Sequence, residues 1–135
     1  MSVEATGRAK PLANYPYLRQ AGGLLFLSGV SARQPDGTIA GVVRVDDGTI
    51  SYDVAAQLRA ILTTITATLS SNGSRFTDLV DVTIYLTDMA DYRAMNGEYN
   101  VWFGPDGPAR TTVGVKELPH PDMVVELKVV ASAAV

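Results

Sequence analysis

The chain contains no cysteine. That removes disulfides, thiolate zinc sites and a cysteine nucleophile together. Its single histidine, His120, is a poor basis for a His-based metal site or for a Ser-His-Asp triad within one chain. A basic surplus is also missing: 11 Lys and Arg stand against 14 Asp and Glu, a net charge of -3. Nothing therefore offsets a phosphate backbone, which argues against nucleic acid as the main partner. The apolar runs are short and interrupted, so no membrane span is read, and Met1 to Lys10 is polar and lacks an apolar signal core. A cytoplasmic protein with no membrane partner and no metal is the expectation. What is present is 47% hydrophobic and 19% charged residues in a chain of 135. This is enough for one domain, 1–135, around one sizeable core. Residues 1–13 are expected to be loosely ordered.

Leu24 to Ser28, closed by Gly29, reads as a buried strand. Pro35-Asp36-Gly37 and Asp47-Gly48 mark turns, with a second strand between them over Thr38 to Val45. Ser51 is positioned to cap the clearest helix, with Asp53 in its first turn, and Val54, Leu58, Ile61, Leu62, Ile65 and Leu69 form one apolar face. Asn72-Gly73 ends it. Val80, Val82, Ile84 and Leu86 alternate with polar neighbours in a half-buried strand over Leu79 to Leu86. A second helix begins near Asp88 or Asp91, presents Tyr92, Met95, Tyr99, Trp102 and Phe103, and stops at Gly104-Pro105. Strands over Arg110 to Lys116 and Met123 to Ser132 complete a β-β-α-β-α-β-β order. An α+β domain with two helices on one face of a sheet follows. In the last strand Met123, Val125, Leu127, Val129 and Ala131 form one apolar row, while Val124 and Val130 on the other row are apolar too. A sheet face that no helix covers is expected to be buried against another subunit.

Five places could carry chemistry, each with a plainer alternative. Arg110 is either a surface arginine at a strand end or a guanidinium fork for a carboxylate. Glu126 lies among apolar neighbours, either paired with Lys128 or an arginine, or held desolvated for proton transfer. Asn96-Gly97 inside a helix signals either close packing or an amide turned towards a site, since the pair costs about 1–1.5 kcal/mol against alanine. His120 between prolines is a loop residue or a cleft donor. Ser28-Gly29 is a strand end or a close approach of backbone to ligand.

Taken in order, Ala21-Gly22-Gly23-Leu24-Leu25-Phe26-Leu27-Ser28-Gly29, Met95-Asn96-Gly97-Glu98-Tyr99, Pro108-Ala109-Arg110-Thr111-Thr112-Val113, Leu118-Pro119 and Val125-Glu126-Leu127 resemble the Rid (YjgF-type) family of enamine and imine deaminases. The likeness runs from about Asn14 to Ala131. Ser31-Ala32-Arg33-Gln34-Pro35-Asp36-Gly37-Thr38, Gly107 to Val113 and Leu118-Pro119-His120-Pro121 look most like the 2-aminomuconate deaminases of aromatic catabolism within it.

The resemblance implies a chorismate-mutase-like fold and a homotrimer with clefts between subunits. It further implies Arg110 as the clamp on a substrate carboxylate and Glu126 as the residue that handles the hydrolytic water. Asn96, Ser28 with Gly29, and Tyr15 or Tyr17 would line the site. Many members carry cysteine where this chain has Thr112, and the stretch from Arg110 to Glu126 is one residue longer here, at His120-Pro121. A small-molecule carboxylate is the implied partner, and no metal, flavin, pyridoxal phosphate or nicotinamide is called for by any motif. A six-carbon diacid needs a second cationic or donor group, for which Arg33 and then His120 are the candidates. Beside the aminomuconate reading stand a general imine-clearing deaminase and a non-catalytic trimeric ligand-binding or chaperone-like protein. An RNA-cleaving role attached to the family name runs against the acidic charge balance.

Overall fold

The structure is a computed structural model and describes residues 8–133. Eight strands and two helices follow one another as β1 (Leu18–Ala21), β2 (Leu24–Leu27), β3 (Val30–Ser31), β4 (Val42–Arg44), β5 (Ile50–Tyr52), α1 (Val54–Ser70), β6 (Leu79–Leu86), α2 (Tyr92–Trp102), β7 (Ala109–Gly114) and β8 (Val125–Ser132). The main sheet runs β1-β2-β8-β6-β7, with β3 continuing along β2's side of β8. It is mixed. The β6–β7 pair is parallel because α2 carries the chain back between them, and the other pairs are antiparallel. The strands β4 and β5 form a separate hairpin. This is the expected α+β architecture with two helices on one sheet face.

Helix α1 buries Val54, Leu58, Ile61, Leu62, Ile65 and Leu69, as its periodicity predicts. Its β-branched stretch is tolerated because Thr63, Thr66 and Thr68 each donate a hydroxyl at 2.8 Å to the carbonyl four residues earlier. Ser51 does not cap it. That residue is in β5, and Asp53 is the cap, its carboxylate accepting from the Ala56 amide at 3.0 Å. Beyond the helix, Gly73 takes a φ of 74°, a left-handed turn that glycine adopts without strain.

In β6 the buried row is Leu79, Val82, Ile84 and Leu86, and Val80 points out. A bulge between Leu79 and Asp81 shifts the register against β8 by one residue, which turns Val80 to the other side. The strand β1, absent from the sequence reading, is tied to β2 by Gly22 and Gly23, whose φ values of 57° and 78° make a two-residue hairpin turn.

The apolar row of β8 is fully inside the core with α1, Met95 and Tyr99. On the other sheet face Phe26, Val80 and Val113 are 39%, 43% and 37% exposed, with Val130 half-buried beside Phe26. No element of the chain covers that face among the described residues. None of the described helices is long and apolar enough to cross a membrane.

One buried polar side chain joins three parts of the fold. Gln57 on α1 donates to the Asp122 carbonyl at 2.8 Å and accepts from the Val124 amide at 3.0 Å. The Asp122 carboxylate in turn accepts from Tyr52 at 2.8 Å and from Arg44 at 3.2 Å, which pins the hairpin. Gly41 makes this possible, since a Cβ there would stand 2.8 Å from Gln57 Cγ. Gln57→Ala would leave a buried donor and acceptor unpaired and should destabilise the fold by about 3 kcal/mol. Chemical denaturation checks this, and a loss within error would mean water replaces the amide.

Candidate functional site

The sequence-derived residues separate into two groups, and strand register decides the division. Arg110 pairs with Val82, which pairs with Val129, so Arg110 lies on the helix-covered side of the sheet. Glu126 pairs with Tyr85 on β6, in the alternate row, and lies on the uncovered side. Two strand spacings and three residues along the strand separate them, about 14 Å between Cα atoms. A single chain does not bring them together.

Glu126 is held by β8 opposite Ser31 of β3. The chain between β2 and β3 bends at Ser28-Gly29, and Gly29 is there because a Cβ would meet Glu126 Oε2 at 2.7 Å. The carboxyl group faces a small cavity of about 80 Å³ that Tyr15, Tyr17, Gly29 and Arg33 also line, with Arg8, Lys10, Pro119 and Met123. No ion pair reaches Glu126 among the described residues; Lys128 donates instead to the Leu27 carbonyl. Burial with no compensating cation pushes the Glu126 carboxyl above the usual carboxylate range. Of the two sequence readings of this residue, the desolvated carboxylate is the one found.

The surroundings of Glu126 are tied down by the N-terminal segment. Ser28 Oγ donates to the Pro16 carbonyl at 2.6 Å, and its amide donates to the Tyr17 carbonyl at 2.9 Å. Tyr17 Oη donates to the Ala9 carbonyl at 3.0 Å, and the Arg8 guanidinium stacks over its ring at 4.4 Å. Tyr15 Oη accepts from the Leu12 amide at 3.4 Å. Of the 1–13 stretch, residues 1–7 lie outside the described residues, while Ala9 is buried. Arg33 donates to the Lys10 carbonyl at the cavity wall.

The second group surrounds Arg110 on β7, the edge strand. Its Nε donates to Thr112 Oγ1 at 3.1 Å and one Nη donates to Tyr92 Oη at 3.3 Å. The guanidinium lies 4.6 Å from the Tyr99 ring centre and 5.7 Å from that of Tyr92. This fixes one edge of the fork and leaves the other without a partner among the described residues. Asn96 lies on the same stripe of α2 as Tyr92 and Tyr99, at helical spacing. Its Oδ1 is buried without a hydrogen-bond partner among the described residues, an unmet acceptor of the kind that a ligand or a neighbouring chain satisfies.

His120 joins neither group. Its Nδ1 accepts from the Asp122 amide at 3.0 Å, which shapes the loop. Two residues that sequence reasoning assigned to the core face of α2, Tyr92 and Tyr99, are the ones that orient Arg110. Their spacing around Asn96 was the available signal. No group of three or more His, Asp or Glu able to hold a metal occurs among the described residues.

Residues 6–133 match the family described as endoribonuclease L-PSP. A RutC family protein of Pyrococcus horikoshii is 34% identical over 125 residues, 90% of this chain and 89% of that one. The 3-aminoacrylate deaminase RutC of Acinetobacter baylyi is 34% identical, over 93% of this chain and 91% of its own length. Among solved structures, the E. coli YjgF gene product superposes with a TM-score of 0.79 over 99% of both chains at 24% identity, a likeness of fold. On sequence and architecture together, the chain belongs to the endoribonuclease L-PSP family, that of the RutC and YjgF (Rid) proteins.

Proposed function

We propose that the protein is a cofactor-independent enamine/imine deaminase that hydrolyses 2-aminomuconate to a 2-oxo acid and ammonia. The observation that carries the reading is the pair of prepared but separated groups. An arginine has one open edge, and an unpaired carboxyl group is lifted in pKa by burial. The relative named 3-aminoacrylate deaminase supports the reaction class.

Because the two groups lie on opposite sheet faces, the working site forms where the Arg110 edge of one chain meets the Glu126 cavity of a second. The uncovered apolar face supplies the driving force for that association. A homotrimer closes such a head-to-tail contact into a ring. Sedimentation should give the mass of three chains at micromolar concentration. A stable monomer with full activity would remove the shared site.

In that site Arg110 binds the carboxylate next to the reacting carbon and draws electron density from the C=N bond. Protonation of the enamine at carbon gives the imine, and positioning accounts for much of the remaining acceleration. Glu126 takes a proton from the attacking water and returns one to the nitrogen. The carbinolamine then releases ammonia.

The diacid preference rests on Arg33, which shares the cavity of Glu126. A second carboxylate placed there would meet a guanidinium fork. Ammonia release from freshly prepared 2-aminomuconate, beside imines of small amino acids, tests the assignment. Arg33→Ala should raise KM up to about fivefold for the diacid, the size of one exposed charge contact, and leave small monocarboxylic imines unchanged. Equal losses on both substrates would move Arg33 out of substrate recognition. A second reading, a deaminase of small enamines, is favoured by the name of the Acinetobacter relative. It predicts faster turnover of the small substrates and no effect of Arg33.

A further inference from the structure

A cavity of about 520 Å³ opens at the end of the sheet where the turn after α2 leads into β7. Neither Arg110 nor Glu126 lines it. Phe76, Val80, Trp102, Phe103, Pro105 and Pro108 supply an apolar, ring-bearing part of its wall, and Thr77, Asp106 and the backbone at Gly104 and Gly107 lie beside it as a polar part. The rings are fixed in place. Phe76 stacks on Phe103 at 4.6 Å and tilts against Trp102 at 5.6 Å, and Phe103 stacks on Tyr99 at 4.3 Å. The Trp102 indole N–H is taken by Glu98 at 2.9 Å, and Glu98 is itself held by Arg59 at 2.8 Å. The indole therefore cannot rotate without breaking a charge-assisted hydrogen bond.

Volumes of this size take a molecule of one or two rings, and aromatic walls recognise flat π-systems by stacking and edge contacts. The single ionisable residue of the lining is Asp106. Among the described residues no cation lines it to receive a carboxylate, so anions are disfavoured and a neutral or cationic ring is favoured. That charge preference is the reverse of the one expected at Arg110.

We propose that this cavity is a second ligand site, for a small non-anionic aromatic molecule. Trp102 is the only tryptophan of the chain and stands in the wall, so its fluorescence reports occupancy directly. The test titrates the full-length protein with 2-phenylethylamine, benzyl alcohol and 3-phenylpropionate. The amine and the alcohol should give saturable changes with midpoints on the order of 1 mM or lower, and the acid should bind about tenfold more weakly. Asp106→Asn should narrow the gap between the amine and the acid. Thr77→Phe, and Thr77→Leu in case the first variant misfolds, should fill the space and abolish the response while leaving deaminase activity intact. Absence of a saturable response to any probe, equal binding of the acid in the unaltered protein, or an unchanged response in both filled variants would overturn the proposal. So would a change of oligomeric mass in Thr77→Phe together with no probe binding, since the cavity would then belong to a subunit contact.

Discussion

Arg110→Ala should lose most of its activity, with kcat/KM down by about 30- to 5,000-fold. That range corresponds to about 2–5 kcal/mol for removing a charged clamp from its partner. The loss should show mainly in KM, because the carboxylate is bound in the ground state and in the transition state alike. Arg110→Lys should recover little. The guanidinium is planar, lies over Tyr99 at 4.6 Å, and has its Nε bonded to Thr112, so its open edge points in a set direction. An ammonium in that place neither stacks as well nor offers two parallel donors. Steady-state kinetics on the preferred substrate checks this, and near-normal constants in the lysine variant would show that charge alone matters there.

Glu126→Gln should keep the fold and lower kcat by about 100- to 10,000-fold, the range of a positioned acid–base group. The amide fills the space beside Gly29 that the carboxyl fills now but cannot accept a proton. The same substitution has a distinct signature in stability. Burial raises the Glu126 pKa in the folded state, so the folded protein holds this proton over a range where the unfolded chain has released it. This residue therefore removes stability as pH rises from the usual carboxylate value through the raised one. Glu126→Gln should be relatively more stable above that interval and show no such difference below it. Denaturation midpoints at several pH values, with the pH–rate profile of the unaltered enzyme rising over the same interval, test both claims. A flat difference between the two proteins would mean Glu126 ionises as it would in water.

Long periodic segments were legible from the residues. The apolar stripe of α1 and the alternation of β8 both appear where the pattern puts them, because each repeats often enough to outweigh local noise. Three short strands were not: β1, β3 and β5 are too short to show a period, and they are specified by their pairing partners. Val80 was misplaced because a bulge is a property of the pairing with β8, invisible within β6 itself. The helix cap moved from Ser51 to Asp53 because Ser51 pairs with Val43 across the hairpin. At the site, Arg110, Glu126 and Gly29 stood out by type and neighbours. Their division between two faces did not. Whether two residues on different strands share a side depends on register through β6, which lies between them in the sheet.

Register also bears on which changes of length such a chain can accept in evolution. Alternation along a strand makes the side on which a residue emerges a matter of odd or even count. One residue inserted within β7 ahead of Arg110 would carry the guanidinium through the sheet to the other side, and one deleted ahead of Glu126 in β8 would do the same to the carboxyl group. Between the two strands, Val115 to Val124 is loop. Added length is absorbed there without reversing either side, so long as Gln57 can still hold Asp122 and Val124. The His120-Pro121 turn falls inside that tolerant interval. Drift in chain length is thereby channelled into the loop, where it leaves the placement of Arg110 and Glu126 untouched.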